Sequence, residues 1–245
     1  MSYRNTINDH QRRRLLQALA GGALTATGVG AAKGAERSPL LGRRPSRLPA
    51  GQSVYSLRGE VTVDGVGANR STLIRPGSVV ETGDTSRIIF VVDRDAFYLR
   101  SNSRLEIEEV SDSTGAATRA LRLLGGKLLS VFGSPRHRIT TPMMTLGIRG
   151  TGVYLESEAD FDYVCTCYGE TDIRALNDKQ SREQIKTTHH DAPRYVLAEG
   201  EPGQLIKPAP FKNHTDQELA LIEALVGRTP PFSIPGDYSG PARPY

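Results

Sequence analysis

The most constraining feature of this sequence is a run of glycines with one proline between residues 139 and 156, ITTPMMTLGIRGTGVYLE. Pro142 carries no backbone donor and pushes the residue before it towards extended geometry. Gly147, Gly150 and Gly152 can adopt backbone conformations that a side chain excludes. We therefore expect a tight hinge here, flanked by strand-like pieces at residues 138–140 and 153–155.

Arg149 stands inside this glycine-rich bend. A cation in a loop is often a plain surface charge, and it can also bind a ligand. In so tight a bend we expect the guanidinium, with its five fixed donors, to bond backbone carbonyls. The predicted structural hinge then consists of Pro142, Gly147, Arg149, Gly150 and Thr151.

The hinge also carries a family resemblance. The pattern from Thr141 to Val153 resembles the signature of the FecR domain, which is named for periplasmic regulators of iron-citrate uptake. Three upstream pieces are similar to the same family: residues 73–83 (LIRPGSVVETG), 86–90 (SRIIF) and 123–128 (LLGGKL). The resemblance spans roughly residues 53–200 and implies a twisted, solenoid-like β fold.

The rest of the chain up to residue 208 favours the same fold class. Short β-branched or alternating segments are separated by glycines and polar turns, which is typical of strands. The predicted strands are residues 54–57, 60–63, 78–81, 87–92, 96–99, 105–109, 119–124, 127–132 and 137–140. We predict an all-β domain over residues 53–208, either solenoid-like or a sandwich, since no fixed-period repeat decides between them.

Residues 1–35 have the features of an export signal. Arg12 and Arg13 precede a weak apolar run rich in alanine and glycine, which resembles a twin-arginine signal peptide. An uncleaved membrane-anchoring helix is the alternative, although the run is weak for a membrane span. Residues 36–52 contain three prolines without apolar periodicity and are expected to form a flexible leader.

Removing the signal changes the charge balance. The chain holds 31 basic and 27 acidic residues, and residues 1–35 contain five of the basic and one of the acidic ones. The remainder is neutral, with 26 of each sign, so the basic character gives no reason to expect nucleic acid as a partner. We expect a periplasmic mature protein without a stable transmembrane span.

The two cysteines, Cys165 and Cys167, are two residues apart on a predicted strand at residues 161–168, so their side chains share one face. A disulfide between them would be strained, because residues i and i+2 of a strand lie about 6.5 Å apart at Cα. The pair is therefore either buried packing, a strained disulfide, or two ligands of one soft metal ion.

Candidate further ligands follow in a second segment: His189, His190 and Asp191, with His214 beyond them. Neighbouring residues of a strand face opposite ways, so at most one of these two histidines joins the cysteines unless the chain turns. Asp191 would orient the ligating ring from behind. Such a set suits zinc or copper, and haem iron is a further possibility.

An enzyme is not favoured. A cysteine nucleophile needs a histidine base and a donor site for the oxyanion, and the sequence supplies only the residue types. Regulators that contain a FecR domain carry a cytoplasmic sigma-factor-binding segment, whereas only about a dozen residues precede the apolar run here. We expect a binding, interaction or envelope-sensing module for a periplasmic protein or small ligand, with metal or haem binding as the alternative.

One helix is predicted, in the segment 209–228. Thr215 and Glu218 form a capping box, and Gly227 supplies a stop. An apolar stripe follows the helical period: Leu219, Ile222, Leu225 and Val226. Residues 229–245 contain five prolines and are predicted to be an irregular tail.

Overall fold

The computed structural model of this chain describes residues 45–111, 117–133 and 137–232. The predicted signal at residues 1–35 lies outside this range, as do most of the leader and of the proline-rich tail. Where the leader is described, Leu48 packs on the C-terminal helix and its N–H donates to the carbonyl of Leu225 at 2.9 Å. This part of the leader is therefore anchored.

The described residues form fourteen strands and one helix. They are, in chain order, β1 (Val54–Arg58), β2 (Val61–Val63), β3 (Val66–Gly67), β4 (Val79–Thr82), β5 (Arg87–Val92), β6 (Asp95–Leu99), β7 (Ser103–Ser111), β8 (Ala117–Val131), β9 (His137–Thr140), β10 (Met144–Ser157), β11 (Phe161–Ala175), β12 (Arg182–Thr187), β13 (Arg194–Leu197), β14 (Ile206–Pro208) and α1 (Asp216–Leu225). The predicted all-β class with one C-terminal helix is confirmed.

The strands form one continuous sheet in which long strands change partners along their length. The main path runs β14-β13-β11-β10-β9-β8-β7-β4-β2-β3, and β1, β5, β6 and β12 branch from it. β10 pairs with β9 near its start, with β8 near its end, and with β11 along both parts. The pairing is antiparallel except between β8 and β9.

Two hydrophobic clusters lie on opposite faces of the central strands. Along β11, Val164 belongs to the larger cluster, whereas Tyr163, Cys165 and Cys167 belong to the second cluster, under α1. The C-terminal part of β10 and the N-terminal half of β11 are buried on both faces, at residues 152–157 and 162–168. Helix α1 contributes Leu219, Ile222 and Leu225 to the second cluster, as its apolar stripe predicts.

The predicted hinge is a turn followed by a bulge inside one long strand. Pro142 is exposed in the turn between β9 and β10, where Thr141 donates a hydrogen bond to the buried carboxylate of Asp162. Residues 144–152, which we expected to bend, lie within β10, which runs without a break to Ser157. Gly150, at φ +58°, lies where the pairing with β11 shifts register, so the glycine allows a bulge.

Our interpretation of Arg149 was wrong. Its side chain is 74% exposed, and its Nη1 lies 3.8 Å from Glu170, the residue opposite it on β11. A bulge keeps the strand extended, so no carbonyls are gathered around the guanidinium. Thr151 lies within β10 next to the bulge.

A second predicted turn is also a bulge. Gly125 and Gly126 were expected to separate two strands, and both lie within β8. Gly126 has φ +88°, and a Cβ at this position would lie 2.5 Å from the Cα of Ser103. Glycine therefore lets β8 continue past a close neighbour where most residues would break the strand.

We predict that Gly150→Ala destabilises the domain and that Gly147→Ala does not. A side chain in the left-handed region costs about 1–2 kcal/mol. Gly147 lies in the same strand without a positive φ, and a Cβ there would meet Asp172 at an ordinary 3.6 Å. Urea denaturation of both variants measures the difference, and equal midpoints would show that the bulge does not require glycine.

Candidate metal centre

Strand β11 presents both cysteines to the second cluster. Cys165 and Cys167 are free thiols with no exposed surface. Their spacing of two puts both sulfurs on the face that packs against α1 and the segment before it, as the sequence predicts. Strand β10 pairs with this part of β11 on one side, whereas on the other side β13 pairs only as far as Val164 and β12 only from Gly169 onward.

The turn after β12 brings His190 to the thiols. The Asp191 carboxylate accepts hydrogen bonds from the Thr187 hydroxyl at 2.6 Å and, at 3.3–3.4 Å, from two backbone N–H groups of the turn. His190 adopts φ +53°, and its N–H donates to the carbonyl of Cys167 at 3.0 Å. Its Nδ1 then lies 3.4 Å from the Cys165 sulfur.

His214 reaches the same point from the segment before α1. We refer to residues 211–215 as the strap. The Nε2 atom of His214 lies 3.4 Å from the Cys167 sulfur and 3.1 Å from Nδ1 of His190. The ring stacks on Tyr154 of β10 with 4.4 Å between centroids. Three separate parts of the chain thus supply the side chains.

A buried carboxylate holds the strap in place. Glu156 of β10 lies 2.8 Å from the ammonium of Lys212, and accepts hydrogen bonds from Asn213 at 2.6 Å and from the Tyr154 hydroxyl at 2.8 Å. The Lys212 ammonium also lies 4.7–5.3 Å from the centroids of three rings, those of Phe161, Tyr163 and Tyr195. His214 follows two residues that are fixed independently of the thiols.

Hydrogen bonds on the far side of each ring leave a nitrogen lone pair facing the thiols. Nδ1 of His214 lies 2.8 Å from the Lys212 carbonyl, which can only accept, so Nδ1 carries the proton and Nε2 is free. Nε2 of His190 lies 3.0 Å from Asp216, which leaves its Nδ1 free when the ring is neutral. Two lone pairs 3.1 Å apart repel each other unless a proton or a metal ion lies between them.

The surroundings shift the pKa values of these groups in different directions. Hydrogen bonding from Cys167, followed by His190 and His214, lowers the pKa of Cys165. Burial raises the pKa of Cys167. Burial disfavours the charged form of His190, but Cys165 and Asp216 outweigh it and raise the pKa of that ring. Without a metal, the Cys165–His190 pair therefore favours a thiolate beside an imidazolium.

The structure brings some of the predicted ligands together and leaves others apart. It gathers Cys165, Cys167, His190 and His214, whose ligand atoms all lie within 4.8 Å of one another. His189 points elsewhere, with its Nε2 3.0 Å from Asp216. Asp191 caps its own turn, so our expectation that it orients a ring was wrong.

Asp216 has the role that we predicted for Asp191, since its carboxylate contacts the imidazole ring of His190. Sequence reasoning missed it because an aspartate in the first turn of a helix is expected for electrostatic reasons alone. His189 and His190 both contact it because the chain turns at these residues and no longer alternates sides as a strand does.

A groove of about 940 Å³ runs beside the turn, with a mostly apolar wall that includes Phe132, Tyr168 and Phe232. His189 lines it, whereas neither cysteine does. Gly150 and Gly169, which lack side chains, also border the groove.

In the part of the chain described here, no helix has both the length and the apolar character needed to cross a bilayer.

No protein-family model and no curated protein matches this chain. The chain is similar to two crystal structures, at 1.65 and 2.50 Å resolution, of a "putative anti-sigma factor" from Parabacteroides distasonis ATCC 8503. The sequence identity is 11% in both cases, with TM-scores of 0.43 and 0.42. Each match covers 54% of this chain and 58% of the other. The FecR resemblance therefore stays a prediction from the motifs.

We predict that Glu156→Ala destabilises the domain by about 3 kcal/mol, because it leaves the Lys212 ammonium without its buried partner. Glu158→Ala is the matched control. Glu158 is 44% exposed, and its carboxylate makes only a loose ion pair with Lys127, at 3.7 Å. Surface pairs of this kind contribute little. Chemical denaturation of both variants measures the effect, and equal losses would show that Glu156 does not anchor the strap.

The same carboxylate predicts a pH dependence. Burial disfavours its charged form, but Lys212, Asn213 and Tyr154 outweigh this and lower the pKa of Glu156. A lowered folded-state pKa gives stability that is present at neutral pH and is lost as the pH falls through that pKa. The stability advantage of wild type over Glu156→Gln should therefore shrink on acidification, as unfolding at several pH values would reveal.

Proposed function

We propose that this chain is a metalloprotein that binds one zinc ion through Cys165, Cys167, His190 and His214. The observation that carries the proposal is the convergence of four donor atoms within 4.8 Å, from a strand, a turn and the strap. Two thiols with two imidazoles are a common donor set for structural zinc.

The distances support one tetrahedral ion. Bond lengths of about 2.0–2.1 Å to nitrogen and 2.3 Å to sulfur give tetrahedral edges of about 3.3 Å between nitrogens and 3.5 Å between nitrogen and sulfur. The corresponding distances are 3.1 Å between the imidazole nitrogens and 3.4 Å for two of the nitrogen–sulfur pairs, Cys165–His190 and Cys167–His214. An ion at the centre would also replace the repulsion between the two lone pairs.

The donor set favours zinc over copper and haem iron. Copper is compatible with thiolate and imidazole ligands and is the second choice. Haem fits poorly, because the porphyrin supplies four of the iron ligands and at most two positions remain for the protein. Four convergent protein donors therefore favour a single ion over a macrocycle.

A catalytic thiol is the competing interpretation of the same geometry. Cys165, His190 and Asp216 form a line of thiol, imidazole and carboxylate, with contacts of 3.4 and 3.0 Å. Such a line can activate a nucleophile. The sulfur has no exposed surface, however, and does not line the adjoining groove, so a substrate would have no access to it. Burial favours metal binding over acyl transfer.

The proposed ion would connect the C-terminal segment to the sheet. His214 directly precedes Thr215, the N-cap of α1, and the helix covers the second cluster. A helix of ten residues is marginal in isolation. A metal bond at its entrance would therefore stabilise the docked helix, which is a structural role for the ion.

We further propose that the domain acts outside the cytoplasm as a binding or envelope-sensing module. The arginine pair and the apolar run in residues 1–35 support export, and the apolar groove offers a surface for a protein or small ligand. A direct role as a sigma-factor regulator is not proposed. The proposed partner is a periplasmic protein or a small ligand.

We predict about one equivalent of zinc per chain in protein purified without chelator. Cys165→Ser, Cys167→Ser, His190→Ala and His214→Ala should each abolish or strongly weaken binding, because each removes one ligand. Elemental analysis measures the stoichiometry. Substitution with cobalt(II) should produce thiolate-to-cobalt absorption that is lost in both cysteine variants.

His189→Ala is the matched control for these variants, since it removes a neighbouring imidazole that does not face the thiols. It should retain the full equivalent of metal. Two results together would contradict the proposal: wild-type protein that is purified without metal, and no cobalt–thiolate absorption when cobalt(II) is added to the reduced protein. The four residues would then be a hydrogen-bonded cluster.

We also predict that changing Arg12 and Arg13 together to lysine leaves the precursor in the cytoplasm. The twin-arginine route requires both arginines. Cell fractionation with immunodetection measures the distribution, with an Arg4→Lys variant as the control. Normal periplasmic accumulation of the double variant would overturn the assignment of this export route.

A further inference from the structure

A second group of potential ligands adjoins the proposed zinc site. The ligand atoms of His189, His190 and Asp216 lie within 4.8 Å of one another, and His190 belongs to both groups. Its Nδ1 faces the thiols, whereas its Nε2 faces Asp216 at 3.0 Å. One imidazole ring therefore forms the wall between the buried site and this outer cluster.

Exposure decreases stepwise from the outer cluster to the thiols. The side chains are 46% exposed at His189, 22% at Asp216 and 8% at His190, and both cysteines are fully buried. His189 also lines the groove that opens beside the turn. A solvated cation in the groove would thus meet the His189 imidazole first, and the Asp216 carboxylate lies behind that ring, 3.0 Å from its Nε2.

A closed metal site needs a path by which the ion enters. We propose that His189 and Asp216 form a loading site, which captures a divalent transition metal from the groove and delivers it past His190 to Cys165 and Cys167. The inference rests on the proposed function of the buried site. It assigns the outer cluster a kinetic role, whereas the four buried ligands determine the equilibrium affinity.

The donor chemistry of the loading site is suited to transient binding. One exposed imidazole and one carboxylate leave most coordination positions of an ion to water, so capture displaces only part of its hydration shell. On delivery, the bonds to His189 and Asp216 break, the remaining waters leave, and the ion forms two bonds to sulfur and two to the imidazole nitrogens of His190 and His214. Any proton still held by a thiol or by the His190 Nδ1 is released to solvent, so the ion keeps its charge and nothing is oxidised.

Phe211 covers the other accessible side of the proposed zinc site. Phe211 of the strap is 50% exposed and lies against His190 and His214, with ring centroids 4.7 and 4.6 Å apart. A phenyl ring offers no ligand to a hydrated divalent ion. An ion that entered past Phe211 would have to lose its water before it met a nitrogen or sulfur atom, which makes this side the slower one.

The test is the rate of cobalt(II) uptake by reduced, metal-free, full-length protein. Stopped-flow absorbance at the cobalt–thiolate band reports arrival at the sulfurs. His189→Ala should slow uptake several-fold and leave the final absorbance and the stoichiometry of one unchanged. Thr188→Ala is the matched control, because Thr188 is exposed in the same groove but offers no imidazole.

Asp216→Asn tests the electrostatic part of the loading site. Removing the negative charge should slow uptake by about tenfold at low ionic strength, and the difference should shrink as salt is added. This variant should also weaken equilibrium affinity by about 10–100-fold, because Asp216 holds the ring of His190. His189→Ala should not change affinity, which separates loading from positioning.

Two results would overturn the loading site. Uptake by His189→Ala at the wild-type rate would show that the outer imidazole is not on the path. Faster uptake by Phe211→Ala, with no effect of His189→Ala, would place the path on the opposite side. Failure of the proposed zinc site is distinguishable from both, because wild-type protein would then show no cobalt–thiolate absorption at any time.

Discussion

The close approach of two imidazole nitrogens beside two buried sulfurs is the contact on which the C-terminal half of this structure depends. Nδ1 of His190 and Nε2 of His214 lie 3.1 Å apart, and Asp216 and the Lys212 carbonyl occupy the opposite nitrogens. Buried polar groups in such an arrangement are costly unless each has a partner. A proton satisfies one pair of atoms, whereas a tetrahedral cation satisfies all four donors together. This difference is the reason that we propose an ion at this position.

The sheet prepares this contact by burying the end of β10 and the adjoining first half of β11 on both faces. On β11, Val164 packs into the larger cluster, whereas Tyr163, Cys165 and Cys167 pack into the cluster under α1, which fixes the direction of both sulfurs. Glu156, on the adjacent strand β10, then positions the strap through Lys212 and Asn213. Because these contacts are formed independently of the thiols, His214 arrives with its orientation largely determined. Preorganisation of this kind reduces the ordering cost that metal binding must otherwise overcome.

Local rules in the sequence were sufficient for part of this arrangement. The spacing of Cys165 and Cys167 predicted a shared face, and the Thr215–Glu218 capping box predicted the helix, because both depend on residues close together in the chain. The sequence named His189, His190 and His214 as candidate partners of the thiols but could not choose between the first two, and it missed Asp216, since β12, β11 and the strap meet only through long-range pairing. The prediction for Arg149 was wrong for a related reason. A glycine-rich segment can form a bulge as readily as a bend, and the pairing of β10 with β11 decides between them.

The spacing that brings two sulfurs together also makes their oxidation to a disulfide unfavourable. Residues two apart on a strand are near the upper limit of Cα separation for a disulfide, and β11 pairs with β10 along this stretch. A bond between Cys165 and Cys167 would have to distort this pairing, which opposes its formation. A bound ion would oppose it further, since both sulfur lone pairs would be shared with the metal. If the chain is exported as we propose, this geometry would keep the thiols reduced in an oxidising compartment and available to the metal.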